Sequence, residues 1–388
     1  MNYHILIDHW FVDDFIITAE QVDPKNNTFI LTLDGPAHHV KSSLAVFAPF
    51  GSQALNDIFH KIKSGDRVFV HWFQDAVMSY IDGMPADVPL YLVFWGGDFL
   101  SQTKKSSDFN YDPLTREYLR KNSGLRVSKG LIGYAKRMVY EFQQSRTRQA
   151  AEQAQVAVRK RFMSRLNYFC HWNHKDLEKV VAEFGGSPKF LQFYYGGGLD
   201  QIPGPVHAKQ RSTDILVWLG NSDTPANNHL DVFRLLKKFR GRNMMIACPL
   251  SYGIGDGSYG NFIDNTGAVF FGERWRSIRK MMALNDYLLL QEDVDIAIMG
   301  HNRSQASGNI IAFMKMGKKV YLKEESTIYS LLIEKGMQVF SVSALEQESF
   351  EEFSRPLTIE QANENSKLIT GLFSDEGKIR GFQRILRD

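Results

Sequence analysis

Gly300 ends an apolar run (Val294, Ile296, Ile298) and hands over to His301, Asn302, Arg303, Ser304 and Gln305. The small residues Ala306, Ser307 and Gly308 follow, then the apolar Ile310, Ile311, Phe313 and Met314. That order reads as a buried strand, a turn rich in amides and hydroxyls, and the first turn of a helix. A helix start without bulky side chains leaves backbone N–H groups free under the positive end of the helix dipole, which suits a phosphate. An ordinary strand-to-helix connection of an α/β domain has the same single glycine and polar loop, so both readings start from the same residues.

A second loop of this kind, Gly220, Asn221, Ser222, Asp223 and Thr224, follows the apolar run from Ile215 to Leu219 and precedes a helical pattern from His229 to Phe239. The GxGxxG fingerprint is absent, which disfavours a dinucleotide dehydrogenase. For proton transfer the candidates are Asp98, behind Gly96 and Gly97, and His71, at the end of the strand-like VFVHWF. Glycine-flexible backbone can aim the Asp98 carboxylate into a cleft, but an aspartate there also suits a capped turn. His71 is equally readable as a satisfied strand-end histidine. Cys170 and Cys248 are the only cysteines, without ligand-like spacing, so neither a disulfide framework nor a zinc site is expected and a reducing cytoplasm fits.

These residues must be positioned by strands alternating with helices. In the first hundred residues strands are predicted at Tyr3 to Ile7, Thr28 to Leu33, Leu44 to Phe47, Arg67 to His71 and Leu90 to Phe94, with a helix from Gln53 to Lys63. The pattern resumes with a strand from Leu166 to Trp172, a helix from Asp176 to Phe184 capped by Asn173 or His174, and a strand from Lys189 to Tyr195. Gly196 to Arg211 reads as a linker. Beyond it MMIAC and AVFF are predicted strands, each followed by a loop; Ser277 to Ala283 and Asp286 to Gln291 are predicted helices, the latter with Asn285 as N-cap. Val320 to Leu322 is a predicted strand, and the tail from Thr358 to Leu386 is largely helical. Such alternation implies parallel sheets, with ligands gathering outside the carboxyl edges of the strands.

The 388 residues favour two domains, and no apolar run approaches the roughly 18 residues of a membrane span. Asp8, His9, Asp13 and Asp14 interrupt the apolar start too early for a signal peptide. Residues 101–165 carry 15 Lys plus Arg against 5 Asp plus Glu, a local charge of +10, while the whole chain is only +3. From Lys129 to Leu166 the apolar residues fall at helical spacing with bases on the flanks. This suits an anionic membrane surface, or simply a solvated helical insertion. No aromatic stacking platform accompanies the charge, so nucleic acid is not an expected partner.

VHWF near His71, FWGGDF at Phe94 to Phe99, LGNSDTPANNH at Leu219 to His229, CPLSYG at Cys248 to Gly253, and the long run from Leu284 to Leu322 carry a family likeness through their order and their placement at strand ends. The chain resembles the TDP-N-acetylfucosamine:lipid II N-acetylfucosaminyltransferases, glycosyltransferase family 56. The resemblance implies an α/β GT-B fold of two Rossmann-like domains facing across a cleft, with the basic helical insertion in the first. It divides the chain into an acceptor domain (1–205, insertion 101–165), a nucleotide-sugar domain (210–355) and a helical tail (356–388) able to cross back to the first.

It also implies transfer of an N-acetylated deoxy sugar from a nucleoside diphosphate, dTDP favoured, to a membrane lipid-linked saccharide in bacterial surface polysaccharide synthesis, on the inner face of the cell membrane. The donor is a substrate, and no cofactor is expected. With no Asp/Glu cluster for a metal, charge on the departing diphosphate is expected to be met by helix N-termini, hydroxyls and a cation. Gly220, Asn221 and Ser222 form one donor set; Asn302, Arg303, Ser304, Gln305 and Gly308 form another. Tyr252, Phe271 and Glu273 are expected near the base or ribose, and Asp98, with His71 second, is expected to activate the acceptor. A catalytically silent peripheral scaffold of this shape and a sugar-nucleotide epimerase are the alternatives.

Overall fold

The computed structural model describes residues 1–100, 109–122, 149–195, 201–205, 214–253 and 257–387. It divides into two units. The first comprises Met1–Ser106, Arg126–Gly197 and Phe373–Asp388, the second Ser107–Leu125 and Gly198–Leu372.

The first unit is built on seven parallel strands: β1 (Asn2–Leu6), β2 (Asn27–Leu31), β3 (Ala45–Phe47), β4 (Arg67–His71), β5 (Leu90–Val93), β6 (Tyr168–His171) and β7 (Lys189–Gln192). Their order is β3-β2-β1-β4-β5-β6-β7, so the chain reverses direction across the sheet between β1 and β4. Strands β4 and β5 are near-continuous buried apolar runs, as strands covered on both faces must be. One cover is the helix Val12–Val22, which buries Val12, Phe15, Ile16, Ala19 and Val22. Asp13 and Asp14, which break the apolar start of the sequence, form its first turn, where carboxylates meet the positive end of the dipole.

The second unit has six parallel strands: β8 (Ile215–Leu219), β9 (Met244–Pro249), β10 (Trp275–Ile278), β11 (Ile296–Met299), β12 (Lys319–Leu322) and β13 (Phe340–Ser341). The order β10-β9-β8-β11-β12-β13 is the doubly wound arrangement, with its switch point between β8 and β11. In register, Leu219 lies opposite Ile298, so these two strands end at the same level and deliver Gly220 and Gly300 to one edge.

Several expectations are corrected. AVFF is the last turn of a helix, Ser258–Phe271, whose buried Tyr259, Ile263, Gly267 and Phe271 recur every four residues. Ser277 to Ala283 is not helical: Trp275–Ile278 is the edge strand β10, and residues 279–283 form no helix. The next helix runs Leu284–Glu292 from Ala283, with no side-chain cap, so Asn285 lies inside it. Asn173 caps His174–Phe184, its side chain accepting from the Lys175 N–H. Of the basic insertion, 109–122 belongs to the second unit and carries the helix Pro113–Asn122, while helix 149–165 belongs to the first. Residues 123–148, with most of the expected amphipathic helix, lie outside the described residues, as do most of the expected linker and residues 254–256 of the loop after β9. The tail divides at Phe373: Ile359–Leu372 goes with the second unit and Asp375–Leu386 with the first.

Candidate functional site

In the second unit the loops after β8 and β11 meet at the switch point. Gly220 N–H donates to Ile298 O at 2.9 Å. Gly220 has φ +71°, and a Cβ on it would stand 2.6 Å from Asn227 Oδ1, so only glycine fits. Asn221 joins the two loops: its Oδ1 accepts from His301 Nε2 at 3.0 Å and from Gln305 Nε2 at 3.4 Å, while its Nδ2 donates to Tyr252 OH at 2.7 Å. Buried Asn227 braces the first loop, accepting from Asn221 N–H and donating to the Ser222 and Thr224 oxygens. Burial holds His301 well below the usual imidazole range, and the nearby Arg303 charge adds to this. The ring is therefore neutral, with its proton on Nε2 and a buried, unpartnered Nδ1.

The helix Ser307–Lys315 starts from Ala306, a non-glycine residue at φ +59°, with no side-chain cap. Alanine at that position forgoes about 1 kcal/mol that a serine or asparagine cap contributes, and it leaves the first-turn N–H groups available to an anion. Gly308 is exposed in that turn. Arg303 donates to Ser304 O at 3.0 Å, and Ser304 Oγ meets Thr327 Oγ1 at 3.1 Å. The structure thus brings Gly220, Asn221, Ser222, Tyr252, Asn302, Arg303, Ser304, Gln305 and Gly308 to one edge of this sheet. Phe271 and Glu273 do not join them. They immediately precede β10, at the amino edge, and Phe271 is core, packed on Phe233 and Trp275.

Residues 109–122 complete this edge, although the sequence put them in the other domain. Asn302 Nδ2 donates to Phe109 O at 2.8 Å and to Asp112 Oδ1 at 2.9 Å, and Lys323 pairs with Asp112 Oδ2 at 2.7 Å. Asn228 accepts from Asp112 N–H and donates to Asn110 O and Gly300 O. Asp231 accepts from Leu114 N–H, Thr115 N–H and Thr115 Oγ1. No local pattern flags Asp112, Asn228, Asp231 and Lys323, because the partners that join residues 109–122 to the rest of the unit are more than a hundred residues away in sequence.

In the first unit Asp98 lies in the short helix Gly97–Leu100 after β5 and is fully buried. Its Oδ2 accepts from Phe73 N–H at 3.0 Å, and its Oδ1 has no partner. Arg159, from helix 149–165, donates to the Asp98 carbonyl at 3.0 Å and pairs with Asp75. Burial pushes the Asp98 carboxyl up to about 6, against the Phe73 hydrogen bond and the charges of Arg159 and His171. His71 is a correction. It is buried between His4 Nδ1, 3.2 Å from its Nε2, and the Tyr195 hydroxyl on its Nδ1, which leaves no ring nitrogen for a substrate. Burial, then the neighbouring His4, depresses its pKa, so it is a neutral core residue.

Around the switch point of this sheet stand Trp10 and Phe11, both about half exposed, with His39 4.5 Å from Trp10 and His9 4.8 Å from Trp95. Trp72, at φ +69°, reaches Trp95 at 6.2 Å. Asp8 fixes this rim by accepting the amides of His38, His39 and Val40. Among the described residues no cluster of His, Cys, Asp or Glu suits a metal, and no helix is long and apolar enough to cross a membrane.

Solved structures share this architecture. A glycosyltransferase from Rickettsia africae matches at 12% identity over 100% of this chain and 97% of its own, with a TM-score of 0.61. Sucrose-phosphate synthase from Thermosynechococcus elongatus matches at 9% identity over 100% and 98%, with a TM-score of 0.64. HepE from Anabaena, solved with UDP and glucose, matches at 13% identity over 100% and 94%, with a TM-score of 0.52. At these identities the likeness is one of fold, that of the GT-B glycosyltransferases with their two Rossmann-like units. The model of one family, described as 4-alpha-L-fucosyltransferase glycosyl transferase group 56, matches residues 191–368, which hold both switch-point loops of the second unit. Through that region the chain is similar to glycosyltransferase group 56, and it is a transferase enzyme.

Proposed function

We propose that this glycosyltransferase takes an N-acetylated deoxy sugar from a nucleoside diphosphate, with dTDP as the favoured base, and delivers it to a lipid-linked saccharide at an anionic membrane surface. The observation that carries the donor half is the junction of two polar loops at the switch point of the second sheet, joined through Asn221, His301 and Gln305. A diphosphate there would meet the uncapped first turn at Ser307 and Gly308, the Ser304 hydroxyl and the Arg303 guanidinium, while Ser222, buried and bonded to Asn227, braces the loop from within. Arg303 would offset the charge that develops as the nucleotide leaves. Tyr252, tethered to Asn221 and 43% exposed, offers a ring for the base or ribose. The family's description names a fucosyl group, which supports a deoxy sugar.

For the acceptor half, Asp98 is the proposed base. Its Oδ1 lacks a protein partner, and a carboxyl near 6 is close to the working range of a general base. The Trp10, Phe11 and Trp95 rim offers aromatic faces of the kind that pack on sugar rings, and the basic segment 101–165 supports attraction to anionic lipid.

A thermal-shift titration with dTDP, UDP, GDP, CDP, NAD and S-adenosylmethionine tests the donor reading. A nucleotide at a hundred times its Kd adds about 2.7 kcal/mol to the native state. A selective rise with dTDP, lost in Arg303→Ala, is the expected result. A rise with none of them, or one untouched by Arg303→Ala, overturns it.

A further inference from the structure

We propose that residues 109–122 position the donor loops, with Asp112 as the pin that sets Asn302 and Lys323 at the carboxyl edge of the second sheet. The proposal rests on the reading that those loops seat the diphosphate. The segment leaves the chain after β5 of the first unit yet belongs to the second. Its attachment is polar, buried and directed at successive loops of one sheet edge. Asn228, after β8, is fully buried and holds both Asn110 O and Gly300 O, so one side chain ties the segment to the hinge of the β11 loop. Asn302, 5% exposed, spends its amide on Phe109 O and Asp112, leaving its own carbonyl oxygen unpartnered. Lys323, immediately after β12, donates to the second Asp112 oxygen at 2.7 Å. One carboxylate therefore fixes the loops after two neighbouring strands.

The remaining contacts fasten the segment to its own unit. Pro113 opens its helix without an N–H to satisfy, and Asp231 takes the next two N–H groups, so the helix is capped from another part of the chain. Tyr118 anchors the far side, stacking on Phe262 at 4.4 Å and meeting Tyr259 edge-on at 5.4 Å. Tyr111 lies close enough to Arg303 to feel its charge. The segment thus combines an apolar anchor with a polar tip whose contacts fall on loop residues. A cover without a positioning role needs the anchor and has no need of a partly buried carboxylate bridging Asn302 and Lys323.

Asparagine at 112 turns an N–H toward one of the two donors and removes the countercharge of Lys323, so one bond is lost. The test is calorimetric titration of the full chain with dTDP and with UDP, comparing wild type, Asp112→Asn, Tyr118→Ala and Arg303→Ala well below their melting temperatures. The expected result is affinity at least tenfold weaker in Asp112→Asn and within twofold of wild type in Tyr118→Ala, although both lower the melting temperature. Equal affinity in Asp112→Asn overturns the proposal. Tighter binding overturns it too, because Asp112 would then be an internal anion competing for Lys323. An equal loss in Tyr118→Ala reduces the effect to stability and also overturns it. Undiminished binding by Arg303→Ala fells the donor reading itself, and the pin with it. Asp112→Glu, which keeps the charge and moves it by one methylene, replaces the asparagine variant if that chain does not fold, with the same loss expected.

Discussion

A fully buried carboxylate with one oxygen unpartnered destabilises the native state, and Asp98 is such a group. Its pKa is about 6 in the fold against 3.8 unfolded, so the native state binds the extra proton between those values and stability falls as the pH rises through that window. Above pH 6 the deficit is constant at about 3 kcal/mol. Asp98→Asn keeps an acceptor for Phe73 N–H and removes the charge, so at pH 7.5 the variant is expected to melt higher than wild type. It is also expected to lose at least about a hundredfold in turnover, because an amide cannot take the acceptor proton, while still binding nucleotide. Wild-type turnover should rise with pH to a plateau above about 6. A carboxylate that only pins the Phe73 amide would be replaced without loss, so retained turnover in Asp98→Asn removes it from the chemistry. Asp98 and the Gly220 and Arg303 loops were legible because each is an abrupt change from apolar strand to glycine and polar residues. Asp112 was not, since nothing near it in sequence distinguishes a surface aspartate from one held by Asn302 and Lys323.

Helices and strands were legible where burial leaves one period intact. β4, β5, β11 and β12 are short apolar runs between turns, and they stand where the sequence put them. The helix Ser258–Phe271 was lost because its buried stripe includes glycines, at 260 and 267, and because Val269, 73% exposed, completes a strand-like run with Phe270 and Phe271. Taking that turn for a strand placed Phe271 and Glu273 at the carboxyl edge, whereas the chain is there starting β10. The glycine has its own reason: a Cβ at Gly267 would meet the Trp275 indole at 2.4 Å, so the helix can lie against the edge strand only without a side chain there. Gly267→Ala forces that indole, whose Nε1 donates to Asp264, off its site. Overpacking of this kind costs about 1–3 kcal/mol, more than the gain in helix propensity, so chemical denaturation should show a net loss of stability. A more stable Gly267→Ala protein would mean that the indole moves freely.

At the scale of the whole molecule the charge is unevenly distributed: residues 101–165 hold +10 in a chain of +3. The described bases do not all serve a surface. Arg159 is 4% exposed and spent on Asp75 and the Asp98 carbonyl, Arg161 pairs with Asp82, and Arg165 donates to the carbonyls of Pro85 and Val88. These residues weld helix 149–165 to the first unit. The proposed attraction to lipid is tested at bases of the expected amphipathic helix such as Lys129, Lys136 and Arg137, which lie outside the described residues. Each base near an anionic surface contributes about 1 kcal/mol, so neutralising those three together should weaken binding to phosphatidylglycerol-containing vesicles by over a hundredfold at low salt. Arg159→Met should leave vesicle binding in place and lower the melting temperature, since it unpairs Asp75 and the Asp98 carbonyl. Binding of the wild type should fade as salt shortens the screening length. Co-sedimentation that is absent at low salt, or that persists unchanged in the triple variant, would leave the positive segment without a membrane role.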